Sequence, residues 1–117
     1  MITTQATMHP SGLATVPAAG IRTSSHIVPV PSGACPVSRN PILGAAILRY
    51  APVGCALEVV ALADYMRQIV RPLPGHPRNV EGLAARIAVD AGAALGCPVS
   101  VELILLVRPL QILRVRA

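Results

Sequence analysis

A chain of 117 residues with no Phe, no Trp and two Tyr must build its core almost entirely from aliphatic side chains. Ala, Val, Leu and Ile bury less area each than aromatics do, so the core they form is thin for its length. Hydrophobic residues nevertheless make up 53% of the chain against 13% charged, which excludes a wholly disordered polymer. The length allows one small domain, and a thin aliphatic core gains stability when further copies associate with it.

The ten basic residues are all Arg (22, 39, 49, 67, 71, 78, 86, 108, 114 and 116), and the formal net charge is +5. They are scattered and lack interleaved aromatics, which argues against nucleic acid as a partner. An anionic small molecule, or Arg pairing across a subunit contact, suits this distribution better. Cys35, Cys55 and Cys97 are odd in number and form no C-x-x-C pair, so neither a zinc knuckle nor a closed disulfide framework is signalled and no metal site is expected. No apolar run reaches the length of a membrane span, and no basic region precedes an apolar one at the N-terminus. A cytoplasmic protein without a membrane partner is the expectation.

Residues 1–34 hold four prolines amid Ser, Thr, Gly and Ala with no sustained period, and read as a flexible arm; residues 24–30 are an alternative edge strand. Residues 35–117 read as the domain. Strands are expected over Leu43–Tyr50 and Cys55–Val60, joined as a hairpin through Ala51–Gly54. Leu62, Tyr65, Met66, Ile69 and Val70 then recur at helical spacing, and a second helix runs over Val80–Leu95 between Asn79 as N-cap and Gly96 as stop. Gly82 and Gly92 inside that helix call for a packing reason. Pro98–Val107 and Leu110–Val115 complete the order ββααββ. The fold class is therefore α+β, an antiparallel sheet with two helices on one face. Ile104, Leu105 and Leu106 are consecutive, which points to cover on both faces of their strand, as a barrel of several subunits would provide.

Four residues are candidates for chemistry. Cys35 lies before the first strand of the domain and is either a small buried hydrophobe or a nucleophile. Glu58 falls among apolar neighbours, where a carboxylate either faces water at a sheet edge or meets a partner such as two ring N–H donors. Glu81 stands in the first turn of the second helix, where the helix dipole alone favours it. His76, in a Pro-Gly-His-Pro loop, is a general base or merely exposed. Cys55 and Cys97 read as structural, and Asp64 and Asp90 as solvated acids on outer helix faces. His9 and His26 carry little weight. No phosphate-loop, dinucleotide, nucleophile-elbow or H-E-x-x-H motif occurs.

The run Cys35-Pro36-Val37-Ser38-Arg39-Asn40-Pro41, then Tyr50-Ala51-Pro52, then Glu58 to Tyr65, resembles the 7-cyano-7-deazaguanine reductases of queuosine biosynthesis. Those carry C-P-x-[ST]-G-Q-P-D, Y-x-P and E-S-K-S-L-K-x-Y, and Cys35, Pro36, Ser38, Pro41, Tyr50, Pro52, Glu58, Leu62 and Tyr65 match without a gap. The resemblance implies the tunnelling fold (T-fold), shared with GTP cyclohydrolase, in which subunits assemble into barrels and bind purines or pterins at their contacts. It further implies that Cys35 forms a thioimide with a nitrile, that Glu58 or Glu81 grips the ring, and that NADPH delivers hydride. Ile42 stands where the family has an aspartate, Val60 and Ala63 where it has lysines, and Val80 where it has a histidine that His76 would replace. These differences imply changed or lost reductase activity. The alternatives are a non-catalytic homo-oligomer, binding such a heterocycle or purely structural, and a hydrolase like GTP cyclohydrolase.

Overall fold

A computed structural model describes residues 6–34, 41–71, 75–77, 79–107 and 111–117. The elements are β1 (Thr7–Met8), β2 (Ala14–Pro17), β3 (Ser24–Ala34), β4 (Pro41–Tyr50), β5 (Cys55–Leu57), α1 (Val59–Ile69), α2 (Val80–Leu95), β6 (Ser100–Val107) and β7 (Gln111–Arg116). Two antiparallel sheets result, one of order β1-β2-β5 and one of order β3-β4-β6-β7. The larger sheet runs in chain order with both helices inserted between β4 and β6, the α+β arrangement expected.

Alternation along these strands sorts the larger sheet into an inner and an outer face. Val30, Ala46, Leu48, Tyr50, Val101, Leu103 and Leu105 point inward and are buried. Over them lie Leu62, Tyr65, Met66 and Ile69 of α1 and Ala84, Ile87, Ala91 and Leu95 of α2, with Leu13 and Leu57 completing one cluster. Gly44 of β4 is required by this packing, because a Cβ there would collide with the Ile104 carbonyl and the Leu105 side chain of β6. Among the described residues nothing covers the outer face. Ile27 and Ile112 are each 72% exposed and Leu106 51%, beside Arg49, Arg114 and Arg116. Of the apolar trio in β6, Leu105 points in while Ile104 and Leu106 point out, so nothing within the described chain covers both faces.

Three expectations need correction. First, the stretch read as an arm contains β1, β2 and the eleven-residue β3, which pairs with β4 from Ser24↔Tyr50 to Ala34↔Pro41. The prolines that argued against a strand fit because β3 is a sheet edge, where an amide facing away from the ladder is dispensable, and the register shifts between Val30 and Gly33. Second, β4 and β5 form no hairpin. β4 is flanked on both sides by β3 and β6, so β5 pairs instead with β2 through Thr15↔Leu57, Val16↔Ala56 and Pro17↔Cys55. Third, the strand expected to reach Val60 stops at Leu57. Glu58 is the N-cap of α1, and the helix begins at Val59.

The second helix follows its sequence signals. The Asn79 side chain accepts from Gly82 N at 2.6 Å, and Gly96 closes the helix in the left-handed region at φ 71°. Gly82 is explained by its own cap, since a Cβ there would lie 2.7 Å from Asn79 Oδ1. Replacing Gly82 by Ala therefore loses the cap hydrogen bond while gaining about 1 kcal/mol of helix propensity, and the two cancel within about 0.5 kcal/mol. Leu103→Ala, which empties a fully buried site, lowers stability by about 2–5 kcal/mol. Urea unfolding of both variants checks these values, with Val53→Ala, at an exposed turn position, as a control that shifts stability by less than about 0.5 kcal/mol.

Candidate functional site

The four candidate residues are distributed as follows. Cys35 lies outside the described residues. Glu58 is half-buried at the β5–α1 junction, its Oε1 accepting from Val60 N at 3.0 Å and its Oε2 from Ala61 N at 2.6 Å. Those two amides hold its carboxyl below the usual carboxylate range. The expectation of an edge-strand carboxylate is thus replaced by a helix cap, since its longer side chain still reaches amides that Asp or Ser would cap at shorter range. Glu81 is exposed in the first turn of α2, where the expected dipole interaction applies. His76 is half-buried in the turn before α2, and its Nδ1 donates to the Arg71 carbonyl at 2.9 Å, which leaves Nε2 as an acceptor. Among the described residues no hydrogen bond joins Glu58, Glu81 and His76.

His76 instead shares a shallow groove with Gly75, Pro77, Gly82, Ala85, Arg86 and Val89. Arg86 ties the groove to the core. Its Nη1 donates to the Gly75 carbonyl at 3.2 Å and its Nε to Asp90 Oδ2 at 3.1 Å, and that same oxygen accepts the Tyr65 hydroxyl at 2.5 Å. Asp90 was expected to be solvated, yet only 14% of its side chain is exposed. The phenol of Tyr65, buried on α1, draws the carboxylate inward across the α1–α2 contact. Burial first, then the Asp90 hydrogen bond and its negative charge, push the Tyr65 hydroxyl far above the ordinary tyrosine range. The Arg86–Asp90 spacing of four residues was a visible sign of the pair; the role of Tyr65 was not.

Two further clusters were missed from the sequence. His26 Nε2 lies 2.8 Å from the Tyr50 hydroxyl, which also accepts from Leu57 N at 2.8 Å. On the outer sheet face Glu102, 8% exposed, pairs with Arg116 at 2.7 Å and Arg114 at 3.5 Å. The cross-strand register Glu102↔Arg116 creates this pair. The Arg116 hydrogen bond leads the causes that hold the Glu102 carboxyl below its usual range. Cys55 and Cys97 are free and half-buried, Cys55 Sγ donating to the Leu95 carbonyl at 3.7 Å. Burial, then the neighbouring Cys55, push the Cys97 thiol up, away from reactivity, in keeping with a structural reading.

Among the described residues no three His, Cys, Asp or Glu side chains gather as metal ligands, and no helix is long and apolar enough to cross a membrane. No family model and no curated protein matches the chain.

Because the folded state holds the Tyr65 proton more tightly than the unfolded chain, its contribution to stability is full below about pH 10 and is lost as pH rises above that value. Ultraviolet tyrosine titration of the folded protein finds Tyr65 still protonated after an ordinary tyrosine has ionised. Tyr65→Phe removes this contribution to the pH dependence of stability above about pH 10 and costs about 1.5–3 kcal/mol at neutral pH, the range for hydrogen bonds to charged groups.

Proposed function

We propose that this chain is a T-fold subunit that holds a purine- or pterin-like heterocycle between copies of itself, and that Cys35 adds to the nitrile of a 7-cyano-7-deazaguanine-like ligand. The observation that supports this reading best is the sheet of order β3-β4-β6-β7 with α1 and α2 inserted at its middle and packed on one face. It is the unit that the resemblance implies, and its open outer face and the sheet edges β3 and β7 are surfaces that a ring of subunits covers.

In the proposed step the Cys35 sulfur bonds to the nitrile carbon, one carbon–nitrogen π bond opens, and the thiol proton ends on nitrogen as a thioimide. No electron donor is required. Glu81, exposed, is free to anchor the ring. Glu58 does so only alongside its cap, through the second lone pair of each carboxylate oxygen.

The NADPH that the resemblance implies has little support on α1 among the described residues. Where the reductases carry lysines α1 offers Val60, 63% exposed, and Ala63, and its one basic residue, Arg67, is paired with Asp64 at 2.7 Å. No hydride step is derived. That deficit, Ile42 and the capped Glu58 favour the second reading, a non-catalytic homo-oligomer that binds the heterocycle or serves a purely structural role. A hydrolase like GTP cyclohydrolase has weaker support, because no His-rich zinc-ligand motif follows Cys35 in the sequence.

Intact-mass spectrometry after incubation with 7-cyano-7-deazaguanine separates the readings. The proposal expects a mass increase of one ligand per chain on the wild type and none on Cys35→Ala. An unmodified wild type removes the nitrile-addition step and leaves the non-catalytic reading.

A further inference from the structure

The buried face of β3 carries one ionisable side chain among the described residues, and it is placed against the junction between the two sheets. His26 is half-buried on that face, diagonally across from Tyr50 on β4, with ring centroids 5.6 Å apart and planes inclined by 15°. Tyr50 is 5% exposed. Its oxygen accepts the Leu57 amide at 2.8 Å, and its single proton has the His26 Nε2, also at 2.8 Å, as acceptor. A neutral imidazole with its proton on Nδ1 satisfies all three groups. The next amide, Glu58 N, donates to the Ala14 carbonyl of β2 at 2.8 Å. The end of β5 and the cap of α1 are therefore fixed on one side by β2 and on the other by Tyr50.

We propose that His26 is a positioning residue and a pH-sensitive latch: neutral, it orients the Tyr50 hydroxyl so that Tyr50 holds the Leu57 amide and the head of α1; protonated, it releases them. Once Nε2 carries a proton it donates to the Tyr50 oxygen, and the phenol proton is left buried without an acceptor. The phenol then turns or withdraws, and Leu57 N loses its partner. The inference rests on β3, β4 and β5 alone and is independent of what Glu58 or Glu81 binds.

Among the described residues no neighbouring charge contributes to the shift at His26. The elements packed most extensively against β3 are β4 and α1. On β4 the charged residue is Arg49, exposed on the opposite sheet face. On α1 Tyr65 gives its hydroxyl to Asp90, while Asp64 and Arg67 pair with each other at the solvent side, 65% and 62% exposed. Glu58 is occupied by the amides of α1, and Cys55 on β5 by the Leu95 carbonyl. Burial alone acts on His26 and lowers its proton affinity below the ordinary value of 6.5. The neutral form is thus secured at pH 7. As pH falls below 6.5 the unfolded chain takes up the proton before the folded one, and the latch loses stability.

Amide hydrogen exchange of the full chain, expressed as protection factors between about pH 7.5 and about pH 5, tests the latch. In the wild type, protection of the Leu57 amide falls roughly tenfold on acidification, the equivalent of one hydrogen bond, while that of the core amide of Leu103 holds. His26→Gln, whose amide oxygen still accepts the Tyr50 proton but does not titrate, keeps Leu57 protected across the range. Tyr50→Phe leaves it weakly protected at both ends. Leu57 protection that is independent of pH in the wild type, or that falls equally in His26→Gln, overturns the proposal. If Tyr50→Phe fails to fold, the comparison of wild type with His26→Gln decides alone.

Discussion

The structure depends on a core that lies on only one side of its main sheet. Leu48, Met66, Ile87 and Leu103, all fully buried, fill the space between the inner face and the two helices, and no Phe or Trp is there to add area. The two tyrosines bridge layers through their hydroxyls. Tyr65 ties α1 to α2 through Asp90, and Tyr50 ties the large sheet to the small one through Leu57 N. In a thin aliphatic core such bonds set the relative placement of elements that area burial leaves loosely specified. The ionisable groups in the chain's interior follow from that placement: Asp90 is drawn in by Tyr65, and His26 is the acceptor that Tyr50 requires.

The helical half of the fold was legible because its punctuation is local. Asn79 and Gly96 bracket α2 as their types predict, and Leu62, Tyr65, Met66 and Ile69 of α1 and Ala84, Ile87, Ala91 and Leu95 of α2, read at helical spacing, are buried. The start of α1 was not, because Glu58 ranks low among capping residues and its apolar neighbours mimic a strand. Of the N-terminal strands only residues 24–30 were legible, as an edge-strand alternative, because prolines exclude a central strand but not an edge and edge placement is a property of the assembled sheet. The pairing of β5 with β2 was equally invisible, since a three-residue strand has no periodicity and its partner lies some forty residues earlier.

For the candidate site, residue types were legible and surroundings were not. Glu81 in a first helical turn and the structural cysteines could be read from position alone. Asp90 and His26 could not, because what distinguishes them is a phenol more than twenty residues away in sequence. The scattered arginines gain meaning in the same way: Arg49, Arg114 and Arg116 converge on the outer face around Glu102 only once β4, β6 and β7 are side by side.

That outer face, apolar with an arginine-bound carboxylate towards one end, connects the thin core to the proposed T-fold assembly. In the proposed assembly other subunits cover the open side of the sheet, and the proposed heterocycle site lies between them. Light scattering coupled to gel filtration measures this directly. The account predicts a particle several times the mass of the 117-residue chain, persisting on dilution. A single-chain mass at every concentration would contradict it.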